Sequence, residues 1–173
     1  MERIFLTKDY AISNIIKGGW HLSCGHGPVN EAEAIQDMRS FVEAGITTFD
    51  CNDIYTGVEE LIGKFLRTEH DAFVSGNLDA VQIHTKYVPD YDVLGTIKKS
   101  DTEVIIDRSL KRLGVEQLDL VQFAWWDYQF PRYVETAMHL HELQLAGKIR
   151  HIGVTNFDAA HLKEILEAGV PII

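Results

Sequence analysis

No apolar run in the 173 residues approaches the roughly 20 positions that a membrane-spanning helix needs, so no membrane span is expected. Basic residues are scarce: 16 Lys and Arg stand against 26 Asp and Glu, a formal net charge of −10. Along the chain no basic cluster exceeds Lys98-Lys99 or Lys111-Arg112, which argues against a nucleic-acid or other polyanionic partner. Cysteine is nearly missing. Cys24 and Cys51 show neither C-x-x-C nor metal-ligand spacing, so the expectation is two reduced thiols in an intracellular protein, with no disulfide framework and no metal site. The opening Met1-Glu-Arg-Ile-Phe-Leu lacks the long apolar region of a signal peptide and points to the cytoplasm. Long linkers and low-complexity stretches are absent too.

What remains is ordinary in amount: 46% apolar and 24% charged residues, as in a soluble globular chain. At this length folding removes roughly 70% of the unfolded chain's surface from water, enough for a core without staples. One domain over residues 1–173 is the natural division.

Apolar periodicity alternates between short β-like runs and helical segments. Asn30 is a good N-cap, with Glu33 in the capping-box position, and Ile35, Met38, Phe41 and Val42 then fall on one helical face before Gly45. A strand is expected over residues 46–50 and a helix over 58–66. Another strand is expected over 81–86, and a helix over 101–113 closed by Gly114. The next strand covers 118–124, and Pro131 opens a helix running to Gly147. A strand over 149–154 precedes a helix capped by Asp158 and ended by Gly169, after which Val170-Pro-Ile-Ile reads as the start of one more strand. With a first strand near 15–20, the pattern is β-α five times plus a stub. Such alternation predicts parallel strands with helices packed outside. An open doubly wound sheet and a closed (β/α)8 barrel share that signature, but G-x-G-x-x-G opening a helix is absent and so is a P-loop.

Polar residues gather where the strands end, the face on which barrel enzymes place their sites. Asp50 ends one strand, with Asp53 and Tyr55 in the following loop; Lys86 ends the next. Trp125, Trp126 and Asp127 follow the fourth strand, and Thr155-Asn156 the fifth. A lysine ammonium beside a phenol favours its ionised form, and a carboxylate beside the lysine keeps it charged and oriented, which makes a proton-transfer set. Each residue also has a plain structural explanation. An Asp at a strand end caps a turn, a Tyr packs half-buried, and a Lys is solvated. Spacing alone leaves both readings open.

The wording of the motifs is more specific. Gly45-Ile-Thr-Thr-Phe-Asp50-Cys-Asn-Asp-Ile-Tyr55-Thr-Gly-Val-Glu59-Glu-Leu-Ile-Gly63 resembles the signature of the aldo-keto reductase family. The resemblance extends to Ile15-Ile-Lys-Gly18-Gly-Trp20, Ile83-His-Thr-Lys86, Leu118-Asp-Leu-Val-Gln-Phe and Gly147-Lys-Ile-Arg-His-Ile-Gly-Val-Thr-Asn156-Phe. It implies an α/β fold of the (β/α)8 TIM-barrel family, here about five βα units plus the start of strand six. It also implies a nicotinamide cofactor, usually NADP(H), and hydride transfer to the carbonyl carbon of an aldehyde or ketone. By motif, Tyr55 is the proton donor, assisted by Lys86 and Asp50. Thr155 and Asn156 take the place of the pair that holds the nicotinamide carboxamide, and Gly19 and Trp20 line the cofactor and substrate cleft.

Two departures stand out. Ala124 occupies the place of the family's catalytic His, and removing such a group typically forfeits about 10²–10⁴ in rate. Asn52 stands where the family has Ala. His84, on the same strand face as Lys86, is a candidate to stand in for the missing His. His21 and His26 lie in the first loop, and His139 and His141 on a helix where solvation is expected. Trp20, Trp125, Trp126 and Tyr128 suggest an aromatic-lined cleft. The resemblance places the remaining strands, with the grip on the cofactor's adenosine phosphate, beyond residue 173. The favoured expectation is a truncated reductase of small carbonyl compounds with little activity alone. The alternatives are a non-catalytic protein that self-associates or binds a partner through exposed strand edges, and an enzyme completed by self-association or a separate C-terminal half.

Overall fold

Five short parallel strands lie side by side in the order in which they occur in the chain, each followed by at least one helix. They are seen in a computed structural model that describes residues 2–23, 25 and 27–173. The expectations for Cys24 and His26 lie outside the described residues. An antiparallel hairpin, β1 (Arg3–Thr7) and β2 (Tyr10–Ser13), comes first. The parallel sheet then runs β3 (Ile16–Gly18), β4 (Thr48–Asp50), β5 (Gln82–Tyr87), β6 (Leu118–Phe123) and β7 (Ile149–Val154). Its helices are α1 (Glu31–Glu43), α2 (Val58–Thr68), α3 (His70–Val74), α4 (Lys99–Leu113), α5 (Tyr133–Leu145) and α6 (Ala159–Glu167). A parallel bridge between Ile152 and Ile172 begins a sixth position beside β7. This is an incomplete parallel sheet of the (β/α)8 type.

Local chemistry sets most of the boundaries. The Asn30 side chain accepts hydrogen bonds from the N–H groups of Ala32 and Glu33, and Ala34, Met38 and Val42 of α1 are buried at helical spacing. Asp158 caps α6 by accepting from His161 N at 2.9 Å. The start of α4 falls at Lys99, two residues earlier than expected, because Asp101 accepts from Lys98 N at 2.9 Å and so caps the helix from within its first turn. The expected first strand over 15–20 is shorter: Gly19 takes an αR-like conformation, and Trp20 turns into a 3₁₀ segment, Trp20–Leu22. The hairpin and α3 are additions to the expected pattern. His139 and His141 are half-buried rather than solvated; they flank buried Leu140 and Leu143, at the edge of the packed face of α5.

Strand residues alternate between two sides, as period-2 geometry requires. Phe49, Ile83, Tyr87, Val121, Phe123 and Ile152 point outward into the helical layer and form the main core with residues such as Phe65, Ile106 and Leu140. Helices α2 and α4 cross closely at Gly63, where a Cβ would lie 2.3 Å from the carbonyl oxygen of Arg112. Any side chain there forces the helices apart. Facing the other way, His84, Leu120, Gln122 and Gly153 line a hollow of about 250 Å³ on the concave side of the sheet. At its rim Leu6, Ile16 and Ile173 are part-exposed, since β3 and β7 do not meet.

The hairpin floors this concave side. Tyr10, nearly fully buried, hydrogen-bonds through its hydroxyl to His84 Nε2 at 2.9 Å. Its ring sits 4.3 Å from that of His151 and beneath the Arg150 guanidinium at 5.0 Å. Burial pushes His84 down to about 4, so the ring is neutral at pH 7. An unfolded histidine takes up its proton near 6.5. The buried ring therefore contributes stability that is fully present above that value and is lost as pH falls from about 6.5 to about 4. Replacing His84→Gln should flatten the dependence of unfolding free energy on pH across this window in urea titrations. An unchanged slope would show that the ring is not held neutral.

Candidate active site

The parallel registers bring the carboxyl ends of the strands to one rim. Asp50 is the last residue of β4, and Lys86 of β5 is paired in register with Gln122 of β6. The Lys86 ammonium lies 2.6 Å from both carboxylate oxygens of Asp50 and 2.9 Å from the carbonyl oxygen of Cys51. Gln122 adds an N–H donor to Asp50 at 2.9 Å. The lysine side chain is only 12% exposed, so its charge is compensated at short range rather than by bulk water. The sequence motifs alone do not mark Gln122 as part of the site. A polar residue inside an otherwise apolar strand was the available signal, and its meaning depends on β6 lying beside β5.

Tyr55 reaches the same place from the loop after β4, its ring centre 5.8 Å from the Lys86 nitrogen. That loop is shaped by Asn52, the residue that departs from the family pattern. Its side chain accepts from Ile54 N at 3.3 Å and its carbonyl from Tyr55 N at 3.1 Å. An alanine could not make the first of these contacts. The Tyr55 hydroxyl has no hydrogen-bond partner among the described residues and opens on a cleft of about 270 Å³. Around it stand Lys86, Val88, Ala124, Trp125, Trp126, Thr155 and Asn156. The indole of Trp126 donates to the carbonyl of Pro89 at 2.7 Å, which fixes one wall. Asn156 adopts the left-handed region with φ 59°, the sole non-glycine residue to do so among those described.

Four of the expected site residues, Tyr55, Lys86, Thr155 and Asn156, thus share one cleft, with Asp50 behind Lys86. Gly19 and Trp20 do not line it. Gly19 supports it from the backbone: its N–H donates to the carbonyl of Asp50 at 2.7 Å, and a Cβ there would meet Val58 at 2.9 Å. Trp20 lies in the 3₁₀ turn, 60% exposed. Of the expected aromatic lining, Trp125 and Trp126 take part, whereas Tyr128 stacks on His161 at 3.5 Å. His84 is engaged by Tyr10 on the floor, and Ala124 puts only a methyl group into the cleft. A larger hollow of about 550 Å³, bordered by Leu22, Val29 and Leu61, holds none of this polar set.

A model of the aldo/keto reductase family matches residues 14–173. The chain belongs to that family. Among its relatives is the NADH-specific methylglyoxal reductase of Escherichia coli K12, 41% identical, with 98% of this chain and 56% of the relative covered. The aldo-keto reductase YhdN of Bacillus subtilis is 34% identical over 76% of this chain and 39% of its own length. Solved structures share the fold. A putative aldo-keto reductase from Pseudomonas aeruginosa superposes with a TM-score of 0.75 at 21% identity, over 95% of this chain and 63% of that one. The chain spans about half the length of the curated relatives it matches.

Beneath Tyr55 the loop is anchored by Asp53, whose side chain is almost wholly buried. It accepts from Val88 N at 3.2 Å, and Arg108 lies 3.4 Å from its other oxygen. Arg112 donates to its backbone carbonyl at 2.9 Å and to buried Glu59 at 3.3 Å. Burial, reinforced by Glu59, pushes Asp53 up to about 7 despite the two arginines. An unfolded Asp ionises near 3.9. The fold therefore loses stability at this residue as pH rises from about 4 to about 7. Asp53→Asn abolishes that loss, so the variant should gain on the parent in urea titrations as pH is raised from 4 to 8. The opposite trend would show that Arg108 and Arg112 hold the carboxyl ionised.

Proposed function

We propose that this chain carries the proton-transfer half of a carbonyl reductase site that works with a nicotinamide cofactor. The observation that carries the reading is the placement of Lys86, held by Asp50 and facing the ring of Tyr55 at the rim of a cleft. Tyr55 donates its phenolic proton to the oxygen of an aldehyde or ketone as that oxygen becomes an alkoxide. Lys86 stabilises the phenolate left behind, and Asp50, braced by Gln122, holds the ammonium in place. With no imidazole at Ala124, polarisation of the carbonyl rests on the Tyr55–Lys86 pair alone.

The cleft suits the nicotinamide end of the cofactor. The Thr155 hydroxyl and the Asn156 amide make no side-chain hydrogen bond among the described residues, leaving both for a carboxamide, while Trp125 and Trp126 offer apolar wall. When bound, the cofactor supplies the hydride. Lys86 is the sole cation among the described residues lining the cleft, so these residues provide no grip for an adenosine 2′-phosphate. The family resemblance points to NADP(H), whereas the 41%-identical relative is named for NADH and methylglyoxal. A small aldehyde of that kind fits the modest volume. Among the described residues no helix is long and apolar enough to cross a membrane.

A second reading rests on the part-exposed Leu6, Ile16 and Ile173 beside the open hollow: a non-catalytic protein that associates through this side. Fluorescence titration with NADPH and NADH in parallel, followed by methylglyoxal turnover, separates the two. On the reductase reading, Tyr55→Phe lowers turnover by about 10²–10⁴ and leaves cofactor affinity within about threefold. Ala124→His raises turnover. Failure of both cofactors to bind, with a defined dimer by light scattering, supports the association reading instead.

A further inference from the structure

The acidic chain gathers five of its sixteen Lys and Arg residues around one groove in the helical layer, whose lining shares no residue with the cleft. Lys64 and Arg67 of α2 face Arg108, Lys111 and Arg112 of α4 across a hollow of about 450 Å³. Glu60 is the sole carboxylate among the described residues lining it. The two rows converge because α2 and α4 approach so closely at Gly63.

Helix polarity explains part of this, since Arg67, Lys111 and Arg112 fall in last turns, where cations complement the helix dipole. It does not explain why two such rows face each other with one carboxylate between them. Internal pairing leaves positive charge over. Arg112 takes up Glu60 at 2.8 Å and Lys64 pairs with Glu31 of α1. Arg108 has only the distant Asp53, at 3.4 Å, a carboxyl that burial keeps partly protonated at neutral pH. Arg67 and Lys111 make no ion pair among the described residues, and both are exposed.

We infer that this groove is a binding site for a small, multiply charged phosphate compound, held by Arg67, Arg108 and Lys111. Guanidinium groups offer paired donors to phosphate oxygens, and a lysine adds a movable point charge. Its volume lies in the range of small-molecule pockets. A groove one helix pair wide, in a chain of net charge −10, does not suit a nucleic-acid backbone, which needs an extended basic surface. The site also touches the machinery described above, because Arg108 and Arg112 hold the side chain and backbone of Asp53 in the Tyr55 loop.

Isothermal titration of the chain with inorganic pyrophosphate at low ionic strength tests the site. One saturable event is expected, with orthophosphate weaker by about tenfold or more. The double variant Arg67→Glu, Lys111→Glu should weaken pyrophosphate binding by at least about tenfold. Neither residue has an internal ion pair to lose, but each leaves a favourable place at a helix C-terminus, so a small fall in the variant's thermal midpoint is expected while the chain stays folded. A variant that fails to fold is replaced by Arg67→Gln, Lys111→Gln, for which the same loss is expected. No saturable heat, or equal affinity in the charge-altered variant, overturns the proposal. Binding that survives in that variant but disappears with Lys86→Met would place the anion in the cleft and also overturn it.

Discussion

The Lys86 ammonium, held by the Asp50 carboxylate and the Cys51 carbonyl, is the contact on which the rim of this molecule is organised. It draws the ends of β4 and β5 to one level, and Gln122 extends the arrangement to β6. A nearly buried ammonium is tolerable only with such close partners, and stripping one from a pair like this typically costs about 3–5 kcal/mol. The same charge faces the Tyr55 ring. One interaction thus serves the sheet as a tie between strands and the cleft as an electrostatic floor.

The loop that carries Tyr55 is held from two directions. From the barrel side, Val88 N–H reaches the Asp53 carboxyl and the Lys86 carbonyl accepts from Asp53 N–H. From the outer side, Arg112 grips the Asp53 carbonyl and Glu59, while Glu59 accepts from the Thr85 hydroxyl at 2.7 Å. The tyrosine is therefore positioned by buried polar contacts that reach through the helical layer, with a charged groove at their outer end. Asn52 belongs to this design, since its side chain closes the turn just ahead of Tyr55.

Much of this was legible from residue order. The alternation of short strands and capped helices announced parallel strands, and β7 falls where apolar periodicity puts it. Asn30 and Asp158 cap the helices they were expected to cap. The family wording pointed to Tyr55, Lys86, Thr155 and Asn156, which do share a cleft. Features that depend on tertiary neighbours stayed hidden. Gln122 gains its role from register with Lys86, and Asp53 from the burial imposed by α2 and α4. The hairpin is not legible in the residue order because β1 is largely exposed and carries no clean alternation. The cationic groove needs two helices that are distant in sequence, brought together by the absence of a side chain at Gly63.

Strand order in the parallel sheet follows chain order without exception among the described strands, so each βα unit docks on the one made just before it. Each such pairing spans one crossover connection, as parallel neighbours require. The hairpin is different. Tyr10 meets His84 and His151, and Arg150 reaches the Asp9 carbonyl at 3.2 Å. The start of the chain is thus fastened to β5 and β7, 74 and 141 positions further on. Sealing the floor therefore closes far longer loops of chain than any pairing within the parallel sheet, at a correspondingly larger cost in chain entropy.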